Sequence, residues 1–110
     1  MKKLNEYRVM WILVFFDLPT ATKKDRKSSS LFRKRLLQDG FYMFQFSVYL
    51  RHCPSLENAD AHIKRVKNIM PSIGKVGILR VTDKQFESME IFYKRKPDKI
   101  DMPYQQLELF

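Results

Sequence analysis

The chain has 110 residues, 45% of them apolar and 14% aromatic, which is enough for one domain with a buried core and excludes disorder and any need for a structural metal. Twenty-one Lys and Arg against twelve Asp and Glu give a net charge of +9, the balance of a protein that meets polyanions, although a well-solvated basic surface would show the same totals. A single cysteine, Cys53, rules out an internal disulfide, and no apolar run approaches the roughly 20 residues that cross a bilayer, so a cytoplasmic protein with no membrane partner is expected.

Met1 to Tyr7 is a short polar lead-in, and Met1-Lys2-Lys3 running into Leu4-Asn5-Glu6 is not the pattern of a secretory leader. Arg8 to Pro19 (RVMWILVFFDLP) contains eight consecutive apolar residues, Val9 to Phe16, ended by Asp17 and by Pro19, which has no N–H to give a ladder. Both parities of this run are apolar, which predicts a central strand covered on both faces. Asp17 shares the parity of Trp11, Leu13 and Phe15. A carboxylate at the end of such a row needs a cation, a metal or backbone donors to offset its desolvation. The plainer alternative is a cap or turn former before Pro19.

Thr20 or Thr22 can cap a helix running to about Asp39, with Asp25 in its first turn and Gly40 as its left-handed stop. Phe32 and Leu36, with Ser28 and Ser29 one turn earlier, form the face that packs on the sheet. Lys23, Lys27 and Lys34 lie in one outward stripe, flanked by Lys24, Arg26, Arg33 and Arg35. Seven basic residues against one acid between Lys23 and Arg35 suit a track along phosphates; a charged, solvated face is the bland alternative.

Phe41 to Arg51 (FYMFQFSVYLR) is extended, but with no Gly or Pro inside it local reasoning leaves open whether it is one bent strand or two joined near Gln45. Ser55 caps a second helix whose apolar stripe is Leu56, Ala59, Ile63, Val66, Ile69 and Met70, stopped by Pro71. Val76 to Val81 reads as a strand. Thr82 with Gln85 reads as a capping box opening one helical turn, and Met89 to Tyr93 as a short strand. The basic knot Lys94-Arg95-Lys96 closes at Pro97, so the domain is placed at residues 1–96 and residues 97–110 form a tail that adds a strand to a partner. This order predicts an α+β sandwich with its helices on one face of an antiparallel sheet.

Walker, nucleophile-elbow and dinucleotide fingerprints are missing, and His52, Cys53 and His62 do not make a zinc site. Cys53 and both histidines are expected in structural roles. Asp17 is then the residue on which chemistry can rest. One carboxylate holds Mg²⁺ poorly, but two copies facing each other across a two-fold axis can share a hard cation.

The combination of a first strand ending Phe15-Phe16-Asp17-Leu18-Pro19, Arg33-Lys34 in the first helix, Gly40-Phe41, then Gln45-Phe46-Ser47-Val48-Tyr49 and Ile78-Leu79-Arg80-Val81-Thr82 resembles the CRISPR-associated protein two family. The resemblance implies a ferredoxin-like βαββαβ fold, which would split Phe41 to Arg51 into two strands. It also implies a homodimer in which an additional C-terminal strand is exchanged between subunits. It makes Asp17 the catalytic and metal residue of a Mg²⁺-dependent endonuclease on RNA or double-stranded DNA. It further implies a role in spacer acquisition, as the central dimer flanked by the CRISPR integrase subunit. The alternative within the same family is a purely structural duplex-DNA scaffold. Assigning nucleic-acid contacts to Lys23, Lys24, Arg26, Lys27, Arg33, Lys34, Lys94, Arg95 and Lys96 follows from charge and not from the motif. An RNA-recognition sheet of similar topology lacks its Lys/Arg-Gly-Phe/Tyr motif here.

Overall fold

Four antiparallel strands and three helices make up the computed structural model, which describes residues 9–94. They run β1 (Met10–Asp17), α1 (Lys23–Gln38), β2 (Tyr42–Gln45), β3 (Val48–Cys53), α2 (Leu56–Asn68), β4 (Lys75–Thr82) and α3 (Asp83–Glu87). The strand order is β2-β3-β1-β4. The apolar run therefore occupies the middle of the sheet, between β3 (Leu13 opposite Leu50) and β4 (Leu13 opposite Leu79). Among the described residues no helix is long and apolar enough to cross a membrane.

The two parities of β1 have different fates. Met10, Ile12, Val14 and Phe16 are buried beneath α1 and α2 with Phe32, Leu36, Tyr49, Cys53, Ala59 and Val66. Full burial of each large side chain stabilises by about 1.5–3 kcal/mol, so this face holds most of the core energy. On the other face only Trp11 is covered by a helix: Phe86 of α3 stacks on the indole with centroids 3.9 Å apart, and Nε1 donates to Asp83 Oδ1 at 2.7 Å. Further along, Phe15 is 45% exposed and Asp17 is exposed. The expectation of a strand covered on both faces is thus corrected: among the described residues the helices cover one face of β1 and only the Trp11 end of the other. The desolvation expected at Asp17 is likewise not realised within one chain.

Local signals place the helices well. Thr22 and Asp25 form the capping box of α1, Ser29, Phe32 and Leu36 are its buried residues, and Gly40 takes φ 91° just beyond its C-cap Asp39. A side chain at Gly40 would be strained there and would also put its Cβ 2.6 Å from Arg51 Nη1. Phe41 to Arg51 resolves into two strands joined by a two-residue turn at Phe46-Ser47, with a register shift between Met43 and Gln45.

Of the expected α2 stripe, Ala59 and Val66 are buried and Ile63 and Ile69 pack against the core, but its ends Leu56 and Met70 are each 39% exposed and the expectation is corrected there. His62 is the third buried residue of α2, and hydrogen bonds to both ring nitrogens remove the penalty of burying them. Met89 to Tyr93 forms no strand within the chain. The 97–110 tail lies outside the described residues, as do Arg95 and Lys96.

Candidate functional site

Asp17 is the last residue of β1 and points to the face opposite α1 and α2, in one row with Leu13 and Phe15. Its neighbour Phe16 points into the core, and the Phe16 N–H donates to Ser47 O at 3.0 Å, the bond that closes the β1–β3 ladder at this end. Across the sheet the register puts Lys75 of β4 directly opposite Asp17, so both exposed side chains leave the same face. Lys75 is a residue that sequence reasoning missed, because strand pairing between residues 58 positions apart leaves no local signal.

No three His, Cys, Asp or Glu residues gather as a metal-holding group among the described residues. Among these residues Asp17 is therefore half a seat at most. A cavity of about 120 Å³ between Leu18-Pro19, the first turns of α1 and Pro71 to Ile73 is not lined by Asp17 and is far below the roughly 300 Å³ of a small-molecule pocket.

The basic residues divide into two groups. Lys23, Lys24, Lys27 and Lys34 are exposed on α1, and Lys94 is exposed beyond α3. Arg26 instead donates to the carbonyls of Thr20 and Ala21 at 3.0 and 3.2 Å, tying down the loop before its own helix. Arg33 lies over the Phe46 ring at 3.8 Å and donates through Nη1 to Ser29 Oγ at 2.6 Å. Grouping both arginines with the lysines by charge overlooked these local partners.

A second polar cluster escaped the sequence reading altogether. His62 of α2 is 5% exposed and bridges Arg51 of β3 and Asp39 at the end of α1. An arginine only donates, so His62 Nε2 accepts from Arg51 Nη2 at 2.8 Å and Nδ1–H donates to Asp39 Oδ2 at 2.7 Å. Arg65 Nη1 reaches the other Asp39 oxygen at 2.9 Å. Burial pushes the Asp39 carboxyl up, but the hydrogen bonds from His62 and Arg65 outweigh it and hold the group below its ordinary 3.8. The cluster ties the ends of α1 and α2 to the sheet, which is a structural role. Cys53 is structural too: it is fully buried, and burial raises its thiol.

Fold and surface together define a small basic α+β domain built on one antiparallel sheet, bare over half of one face. A family model described as CRISPR associated protein Cas2 matches residues 10–89. A relative from Flavobacterium psychrophilum, named CRISPR-associated endoribonuclease Cas2, is 61% identical over 108 residues, which is 98% of this chain and 94% of its own. Another of the same name, from Parvibaculum lavamentivorans, is 46% identical over 101 residues, covering 92% of this chain and all of its own. A solved crystal structure of Cas2 superposes with a TM-score of 0.53 over 86% of this chain and 99% of its own, at 19% identity, and so speaks for the fold alone. This chain belongs to the Cas2 family of CRISPR-associated proteins.

Proposed function

We propose that the chain works as a homodimer in CRISPR spacer acquisition, binding nucleic acid beside the CRISPR integrase subunit, and that it cleaves phosphodiester bonds of RNA or double-stranded DNA with Mg²⁺. The observation that carries this reading is the position of Asp17 on the half-open apolar face. Phe15 and Leu79 are 45% and 48% exposed there, diagonal neighbours on one face by the Leu13–Leu79 and Phe15–Gly77 pairs. Adjoining exposed apolar side chains mark an interaction surface. A two-fold axis through this one would set two Asp17 carboxylates facing each other.

The donor chemistry fits Mg²⁺, which keeps several waters and takes one or two carboxylates together with substrate phosphate. When bound, the ion supplies charge neutralisation and an activated water. The chain's own part is to present the carboxylates on a rigid strand, with Lys75 placed to steady a phosphate beside them and Lys23, Lys27 and Lys34 to follow the backbone. The sheet order β2-β3-β1-β4 with this order of elements supports a ferredoxin-like βαββαβ assignment. Strand exchange is supported by the exposure of Ile91, Phe92 and Tyr93, at 45%, 84% and 41%, and by β4 being an edge strand among the described residues.

Asp17→Asn in the full chain tests the mechanism. Metal-dependent cleavage is expected to disappear while duplex binding persists; undiminished cleavage by a clean preparation would reject Asp17 as the metal residue. A second reading, a duplex-DNA scaffold without cleavage, is favoured by the lack, among the described residues, of any group of three His, Cys, Asp or Glu that could hold a metal. It predicts that spacer acquisition survives Asp17→Asn but not the triple change of Lys23, Lys27 and Lys34 to Gln. That triple variant should lower the slope of log affinity against log salt by roughly 2 to 3, at about 0.9 per phosphate contact. An unchanged slope would remove the α1 track.

A further inference from the structure

Arg33 is gripped on several sides although it stands in the most basic segment of the chain. Its guanidinium carbon lies 3.8 Å from the Phe46 ring centre and 5.4 Å from that of Phe16. Nη1 donates to Ser29 Oγ at 2.6 Å and Nε to Phe46 O at 3.4 Å. A planar fork that stacks and donates in two directions is a task for arginine and not for lysine.

The Phe46-Ser47 turn has none of the Asn-Gly or Gly-containing pairs that favour a two-residue hairpin loop. Phe46 is itself 66% exposed, so core burial does not hold it. Yet Ser47 O must stay in place, because it accepts the Phe16 N–H at 3.0 Å, one residue before Asp17.

We propose that Arg33 is a positioning residue for Asp17: by clasping the Phe46-Ser47 turn onto α1 it fixes the carbonyl that ends the pairing of β1 with β3, and so, together with the β4 pairing at Lys75, the direction in which the Asp17 side chain leaves the sheet. This takes Arg33 out of the phosphate track and rests on the reading of Asp17 as a metal seat.

The test compares Arg33→Lys, Arg33→Ala and Phe46→Leu in the full chain. Mn²⁺ binding is read by electron paramagnetic resonance, the Phe16 amide by hydrogen exchange, and duplex affinity as a function of salt. Both Arg33 variants should weaken Mn²⁺ binding at least fivefold and speed Phe16 exchange about tenfold, with Phe46→Leu moving in the same direction. The salt slope should be unchanged even in Arg33→Ala. Should Arg33→Ala fail to fold, Arg33→Lys and Phe46→Leu carry the same comparison. Wild-type Mn²⁺ affinity in Arg33→Lys, or faster Phe16 exchange with no change in Mn²⁺ affinity, overturns the positioning role. So does a salt slope lowered by about one in Arg33→Ala, which marks a phosphate contact. If the wild type takes up no Mn²⁺, the metal reading of Asp17 has failed and this inference goes with it. If the wild type binds and the variants bind equally, the inference alone fails.

Discussion

Changing His62 to alanine deletes the middle of the Arg51–His62–Asp39 chain. The ring is 5% exposed, and the side chain of Asp39 is 14% exposed. The variant therefore leaves a shielded carboxylate and a guanidinium each short of one partner, at about 1–3 kcal/mol for each group. Two effects reduce the total: Asp39 keeps Arg65 at 2.9 Å, and it borders an open groove of about 390 Å³ through which water can enter. A loss of about 3 kcal/mol is expected, or a Tm lower by roughly 12–20 °C in a domain of this size. Arg65→Ala removes a bond to the same carboxylate but from a side chain that is 64% exposed, and should cost no more than about 1 kcal/mol. Urea unfolding followed by Trp11 fluorescence, at one fixed protein concentration, measures both. If His62→Ala costs no more than Arg65→Ala, the cluster does not brace the helix ends as described. The acid limb supplies an independent check. Because the folded Asp39 value lies below 3.8, its stabilisation is complete above about pH 3.8 and is lost as pH falls through the lower folded value. Asp39→Asn should flatten that limb; a limb unchanged in this variant would contradict the sign.

Gly77→Val should act on association before folding. A Cβ at Gly77 would lie 2.6 Å from the Phe15 ring, which must swing off the open face to make room, so light scattering should show the proposed dimer weakened while the circular dichroism of the fold is retained. Dimerisation equal to wild type would mean that this face is not the one used. Cys53, fully buried with its thiol raised, should react with a disulfide reagent at pH 8 at least a hundredfold more slowly than in the urea-unfolded chain. Equal rates would show that β3 opens readily.

Much of the architecture could be read from neighbouring residues. The end of β1 at Asp17 and Pro19, the capping boxes of α1 and α3, the Ser55 cap of α2 and the left-handed stop at Gly40 are all decided within about four positions of one another, where turn and cap chemistry dominates the energy. The motif run from Phe15 through Tyr49 was specific enough to point to the family. Tertiary structure decided what depends on distant partners. Burial of His62 needs a donor and an acceptor 11 and 23 residues away, and the contacts of Arg33 with Phe46 need a turn 13 residues away. The openness of one β1 face had the same origin. An apolar row records that its side chains favour burial, but whether this chain or another supplies the cover depends on how many helices fit over the sheet, and that is a property of the packed molecule.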